Sequence, residues 1–173
     1  METLNQKPQR CCFTGHRPEK LEGDPAFVKS LLKAAIEYAI KQGLTTFISG
    51  MARGVDMWSA QIVLEKREEN KDIKLICASP FEGFEKRWSK EDIDTYRDII
   101  SKADYVKYVS LKYSPSCFQV RNCYMVDRSV MVIAAYNGEA GGTYNTVKYA
   151  KRKGVEVVNI FDEDFETYIK CEE

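Results

Sequence analysis

"TTFISGMARGVDMWSAQI", residues 45–62, passes from a strand through a turn into a helix. The apolar, β-favouring run ends at Gly50. Val55, Trp58 and Ile62 then recur at helical spacing. Working outward, the same alternation repeats along the chain. Upstream, residues 11–14 form an apolar run that stops at Gly15, and residues 25–42 read as a helix with Phe27, Leu31, Ala34 and Tyr38 on its apolar stripe and Gly43 as its stop. Downstream, the helix begun at Val55 dissolves into the charged stretch "EKREENKD", and "IKLICAS" is a strand closed by Pro80. A loop carrying Trp88 leads to a helix over residues 90–102, then to the strand "YVKYVS". Residues 113–128 read as a loop entering a short helix, and "VMVIAAY" as a strand covered on both faces. A helix over 143–153, stopped by Gly154, and the strand "VEVVNIF" precede an acidic tail. Strands alternating with helices describe βαβ units around a mainly parallel sheet, so the expected fold is a three-layer α/β/α sandwich. No repeat or linker interrupts the chain, and residues 1–173 read as a single domain.

Composition narrows the function classes. Twenty-six Lys and Arg balance 26 Asp and Glu, so no overall positive field exists to hold a polyanion, and nucleic-acid binding is disfavoured. "METLNQKPQR" lacks the apolar core of a signal peptide, and no stretch approaches the roughly 20 apolar residues of a membrane span, so the expected location is cytoplasmic. Cysteines at 11, 12, 77, 117, 123 and 171 form no CxxC pair and read as small buried apolar residues. Cys117 and Cys123 could form a redox pair only if their segment bends. With one histidine and no clustered carboxylates, no metal site is expected.

Ligands of open parallel sheets bind outside the carboxyl ends of the strands. Three glycine-bearing turns fall there: "TGHRP", "SGMARGVD" and "NGEAGGT". Small turn residues let an anion approach the unpaired N–H groups of a helix N-terminus. The candidate rim is therefore Gly15, Ser49, Gly50, Ala52, Gly54, Gly141, Gly142 and Thr143, with Arg17 and Arg53 as guanidinium donors. Neither GxGxxG nor GxxxxGK[ST] is present, which disfavours an ordinary dinucleotide fold or a P-loop. His16 could donate to an anion, accept from a hydroxyl, transfer a proton, or simply cap its turn. Asp56 could cap its helix or meet a ribose hydroxyl. Arg121, Asn122 and Asp127 precede a buried strand; spacing alone reads them as a solvated helix face. Trp88, Tyr96 and Tyr113 could stack on a base, but such aromatics more often fill core gaps.

"TGHRP", "SGMARGVDMWSA", "PFEGFEKRW", "YSPSCFQVRNCYMVDRS" and "NGEAGGT" together resemble the YpsA-like family of the SLOG superfamily of Rossmann-like domains. The resemblance implies a Rossmann-like fold and a pocket for a nucleotide or related phosphorylated ribosyl compound, and it moves Arg121 and Asn122 onto the pocket rim. The same superfamily includes DprA/Smf-type DNA-processing proteins and LOG-type phosphoribohydrolases, but the glutamate that follows the LOG glycine-rich turn has no counterpart in "GGTYNTVKYA". The leading expectation is a sensor or regulatory module for a nucleotide, ADP-ribose or NAD-like ligand, its phosphate on the "SGMARG" and "AGGT" turns with Arg17 and Arg121 as charge partners, and Asn122 or Asp127 on ribose or base. The alternatives are a hydrolase or transferase at an N-glycosidic bond using His16 or Asp127, and a partner-binding scaffold. Self-association into a homo-oligomer is a further expectation from the superfamily.

Overall fold

A computed structural model describes residues 9–21 and 23–170. Its six-stranded sheet comprises β1 (Arg10–Gly15), β2 (Thr46–Ser49), β3 (Lys74–Ser79), β4 (Tyr105–Tyr108), β5 (Met131–Ala135) and β6 (Glu156–Asn159). The spatial order is β4-β3-β2-β1-β5-β6, and every neighbouring pair is parallel. This is a Rossmann-like α/β/α sandwich. The helices are α1 (Pro25–Lys41), α2 (Val55–Glu69), α3 (Lys90–Lys102), α4 (Cys117–Asp127), α5 (Gly142–Arg152) and α6 (Phe165–Lys170).

Strand register explains the two core layers. Leu75, Phe47, Cys11 and Met131 align across four strands, and their side chains share the core with α1, α2, α3 and α6. One residue later, Ile76, Ile48, Cys12 and Val132 align and face Met125 and Val126 of α4 and Ala150 of α5. The period of two thus feeds both faces, as a sheet covered on both sides requires. The chain builds outward from β1 to β4, then crosses to the other side of β1 for β5. That reversal creates a crevice at the carboxyl ends of β1 and β5, where Gly15 pairs with Ala135.

Several local expectations are corrected. Helix α1 buries Val28, Leu32, Ala35, Ile36, Tyr38 and Ala39; of the expected stripe Tyr38 is core, Leu31 and Ala34 are half-buried against it, and Phe27 is 58% exposed. The stripe one residue further on, about 100° round the helix, is the more deeply buried of the two, and the N-terminal end of the expected stripe turns to solvent. The charged end of α2 remains helical to Glu69, held by Lys66 to Glu37 at 2.7 Å and Arg67 to Asp104 at 2.8 Å. Phe165–Lys170 of the acidic tail fold as α6, because Phe165 is buried and Tyr168 packs on Tyr38 at 5.4 Å. Cys117 and Cys123 stand six residues apart on one helix, about 9 Å along its axis and on different faces, beyond the roughly 7 Å that a disulfide spans. They form no redox pair. Burial pushes the Cys12 and Cys77 thiols up to about 12, as expected of inert core residues. Cys171 lies outside the described residues.

No helix among the described residues is long and apolar enough to cross a membrane.

Candidate functional site

A cleft of about 470 Å³ opens at the carboxyl edge of the sheet. The turns after β1, β2 and β5 all contribute to it, through Gly15, His16 and Arg17, through Ala52, Arg53 and Asp56, and through Gly141, Gly142 and Thr143. Arg121 and Asn122 of α4 complete this part of the lining.

The turn between β2 and α2 shows how tightly the floor is specified. Met51 adopts φ 62°, a left-handed conformation that costs a non-glycine residue about 1–2 kcal/mol. Its neighbours hold it there. Ser49 Oγ accepts from the Met51 N–H at 3.2 Å and donates to the Asp56 carbonyl at 2.8 Å, while the Ala52 N–H donates to Asp56 Oδ2 at 3.2 Å. Gly54, at φ 85°, packs so closely that a Cβ would meet the Pro18 ring at 2.8 Å. At Gly50 a Cβ would lie 2.9 Å from Asp56 Oδ2 and 3.0 Å from Arg121 Nε, so the missing side chain is what lets carboxylate and guanidinium approach. Ser49, Gly50 and Gly54 shape the turn without lining the cleft.

Asp56 and Arg121 are only 6% and 5% exposed. Arg121 donates through one terminal nitrogen to the Gly50 carbonyl and through Nε to Asn122 Oδ1 at 2.8 Å, tying α4 to the turn after β2. Burial raises the Asp56 carboxyl from 3.8 to about 6, against the opposing pull of the Arg121 charge and the Ala52 N–H. Burial likewise lowers Arg121, with the Asp56 charge opposing it and the Arg17 charge adding to the decrease. His16 is buried to a similar degree, 6.0 Å from the Tyr136 ring, and its Nε2 has no hydrogen-bond partner among the described residues. An orphaned buried polar atom is costly and marks a position where a ligand group can supply the missing bond.

Charge is concentrated here. Arg17, Lys20, Arg53 and Arg121 line the cleft against the single carboxylate of Asp56, in a chain with no net charge. Arg53 is already paired, with Glu19 at 2.9 Å and Asp92 at 3.9 Å. Arg17 is exposed and meets no carboxylate within 4.0 Å among the described residues. Helix α5 starts at Gly141 and Gly142 with no side-chain cap, and a Cβ on either glycine would meet nothing within 4 Å. Its first N–H groups and Arg17 therefore present uncompensated positive charge on one cleft.

Asp127 is corrected. It sits in the last turn of α4, exposed, accepting from the Tyr149 hydroxyl at 2.6 Å, and it does not line the cleft. Its acid–base role is withdrawn. Sequence reasoning missed Lys20, Phe84 and Phe118, which line the cleft; Trp88, for which the sequence leaves both a stacking and a core-filling role open, lines the cleft and also packs against the core. Phe118 carried a usable signal, since it lies three residues before Arg121 on a helix and so shares its face. Tyr96 is core, with its hydroxyl 2.7 Å from Ser79 Oγ. Among the described residues, no group of three or more His, Cys, Asp or Glu side chains could hold a metal.

The family model YpsA, described as the YspA SLOG family, matches residues 11–165. A UPF0398 protein of Bacillus cereus (strain ATCC 14579) is 31% identical over 151 residues, covering 82% of each chain. DNA processing protein A (DprA) from Streptococcus pneumoniae superposes with a TM-score of 0.62 at 17% identity, over 95% of this chain. The chain spans 56% of that structure. The Helicobacter pylori DNA processing protein A gives 0.63 at 16% identity, covering 94% of this chain and 74% of that one. These structural likenesses concern the fold.

Proposed function

Because the chain belongs to the YspA SLOG family, we propose that it is a cytosolic sensor or regulatory module that binds a nucleotide, or an ADP-ribose-like phosphorylated ribosyl compound, in the cleft after β1, β2 and β5. The observation that carries this reading is the concentration of four cationic side chains and an uncapped helix N-terminus around one cleft of an otherwise neutral chain. The phosphate rests on the α5 N-terminus with Arg17 as its charge partner. Asp56 and Asn122 provide an acceptor and a donor for ribose hydroxyls, and Arg121 ties α4, which carries Asn122, to the turn that leads to Asp56.

The H. pylori relative in fold binds single-stranded DNA. Here the positive groups gather in a cleft of about 470 Å³, a volume suited to one small ligand. A second reading is favoured by His16. Its side chain lines the same cleft and its buried Nε2 has no hydrogen-bond partner among the described residues, which supports a role in exchanging a proton with a bound ligand, as cleavage or transfer at an N-glycosidic bond requires.

A thermal-unfolding screen against AMP, ADP-ribose, NAD and cyclic dinucleotides tests the proposal. A ligand at about 100 times its Kd adds roughly 2.7 kcal/mol to a one-site binder. Shifts from at least one of these compounds are expected, and flat curves from the folded protein across the panel would remove the reading. Chromatography of the binding compound after long incubation separates the two forms of it. Recovery intact means a sensor, whereas release of base or ribose phosphate that is lost in His16→Ala means an enzyme.

A further inference from the structure

The cleft contains one feature that phosphate and ribose do not account for. Phe84, Trp88 and Phe118 are half-buried and line the same space as the cations. Apolar surface facing water is unfavourable, and a site for a bare sugar phosphate has no use for it. We infer that these three rings form a subsite for a planar aromatic base, so that the ligand is a complete nucleotide rather than a sugar phosphate. This deepens the function proposed above and rests on it.

The geometry supports a preformed wall. Phe84 is the hub: Trp88 meets it edge-on at 4.9 Å and 76°, and Phe118 reaches it from α4 at 5.8 Å and 57°. Behind them, Trp88 packs perpendicular to the buried Tyr96 at 5.6 Å and 89°, and Tyr96 is tied to Ser79. Phe81 adds an edge contact to Phe84 at 5.8 Å and 78°, and Tyr113 backs Phe118 at 6.3 Å and 62°; a base joins such an array by offset stacking or an edge-to-face contact on the side that lines the cleft. The segment between β3 and α3 is internally hydrogen-bonded. Successive backbone hydrogen bonds run from Phe84 to Phe81, from Lys86 to Gly83 and from Trp88 to Glu85, and the buried Glu85 carboxylate lies 3.6 Å from Arg97 of α3. A wall held in this way loses little entropy when it takes up a ligand.

Topology sets the spacing of the two ends. Phe84 and Trp88 follow β3, Gly141 and Gly142 follow β5, and β2 and β1 lie between. Three interstrand steps of about 4.8 Å separate the two loops by roughly 14 Å. That separation suits a ligand with an anion at one end and an aromatic ring at the other.

AMP and ribose 5-phosphate differ by the base alone and serve as probes. In a Trp58→Phe background Trp88 is the sole tryptophan, since the chain has two. AMP is expected to quench its emission and to bind roughly 5- to 150-fold more tightly than ribose 5-phosphate, the range that stacking on aromatic side chains supplies. Phe84→Leu and, independently, Phe118→Leu should bring the AMP affinity toward that of ribose 5-phosphate while the latter's affinity stays unchanged. Equal affinities for the two probes, or equal losses for both in the variants, would overturn the base subsite and leave the phosphate site standing. Binding of neither probe would remove the proposed nucleotide site, and the base subsite with it.

Discussion

Replacing Asp56 by asparagine should stabilise the unliganded protein, and by an amount that depends on pH. Asp56 is buried beside Gly50 and Arg121, and its carboxyl is raised from 3.8 to about 6 mainly by that burial. Above pH 3.8 the unfolded chain releases this proton while the folded chain keeps it to about pH 6. The stability associated with the group is therefore fully present below pH 3.8 and is lost as pH rises through the folded value. At 1.36 kcal/mol per pH unit, an elevation from 3.8 to about 6 costs roughly 3 kcal/mol once the group is ionised. The amide of the Asp56→Asn variant keeps an acceptor for the Ala52 N–H, which the carboxylate holds at 3.2 Å, and cannot ionise. Urea unfolding of both proteins should show the variant more stable by about 3 kcal/mol at about pH 7.5 and by only about 1 kcal/mol at about pH 4.5. In thermal unfolding the larger difference corresponds to roughly 6–12 °C. A difference that does not change with pH, or a variant less stable than the parent at neutral pH, would refute the electrostatic account of the turn. A residue that weakens the free protein in this way is the kind of compromise expected where a ligand site has been built.

Other consequences follow from particular contacts. Leu32→Ala should cost about 2–5 kcal/mol in urea unfolding, and Phe27→Ala about 0.5 kcal/mol or less; equal losses would return the apolar face of α1 to the Phe27 stripe. Gly54→Ala combines φ 85° with a 2.8 Å clash against Pro18, so its unfolding free energy should fall by at least about 1 kcal/mol, and an unchanged value would show that the turn relaxes freely. Arg17→Ala, on an exposed side chain without an ion pair among the described residues, should leave thermal stability unchanged and weaken AMP binding roughly ten-fold or more. Unaltered affinity would exclude Arg17 as the phosphate partner. Oxidation with diamide followed by mass spectrometry should find no Cys117–Cys123 bridge, whose formation would require α4 to unwind.

Much of this fold is written in local pattern. The strand, turn and helix of residues 45–62, the Lys90–Lys102 helix and the fully apolar run before Tyr136 fold as their periodicity dictates. The stripe of α1 is ambiguous in sequence because "FVKSLLKAAIEYAIK" carries apolar residues on two adjacent faces, and only the sheet decides between them. The end of α2 and the whole of α6 depend on partners far away in sequence, Glu37 and Asp104 for one, Tyr38 for the other. At the site, turn glycines and arginines are visible as residue types, but their grouping is not. Asp127 and Arg121 lie on the same short helix and differ by rotation about its axis, which puts one against Tyr149 and the other over Gly50. Two rings of the aromatic wall, Phe84 and Trp88, are hidden in the irregular segment after Pro80, where no periodicity marks which rings face water.

The most direct test of the nucleotide cleft is a calorimetric titration of AMP and ADP-ribose into the wild-type protein and into Gly142→Asp. A Cβ at Gly142 meets nothing within 4 Å, so the variant should fold with its thermal midpoint unchanged while placing a carboxylate where the phosphate would rest. Saturable one-site binding to the wild type and its loss in the folded variant is the predicted result. Equal affinity in the two proteins, or no binding of either compound to the wild type, would contradict it.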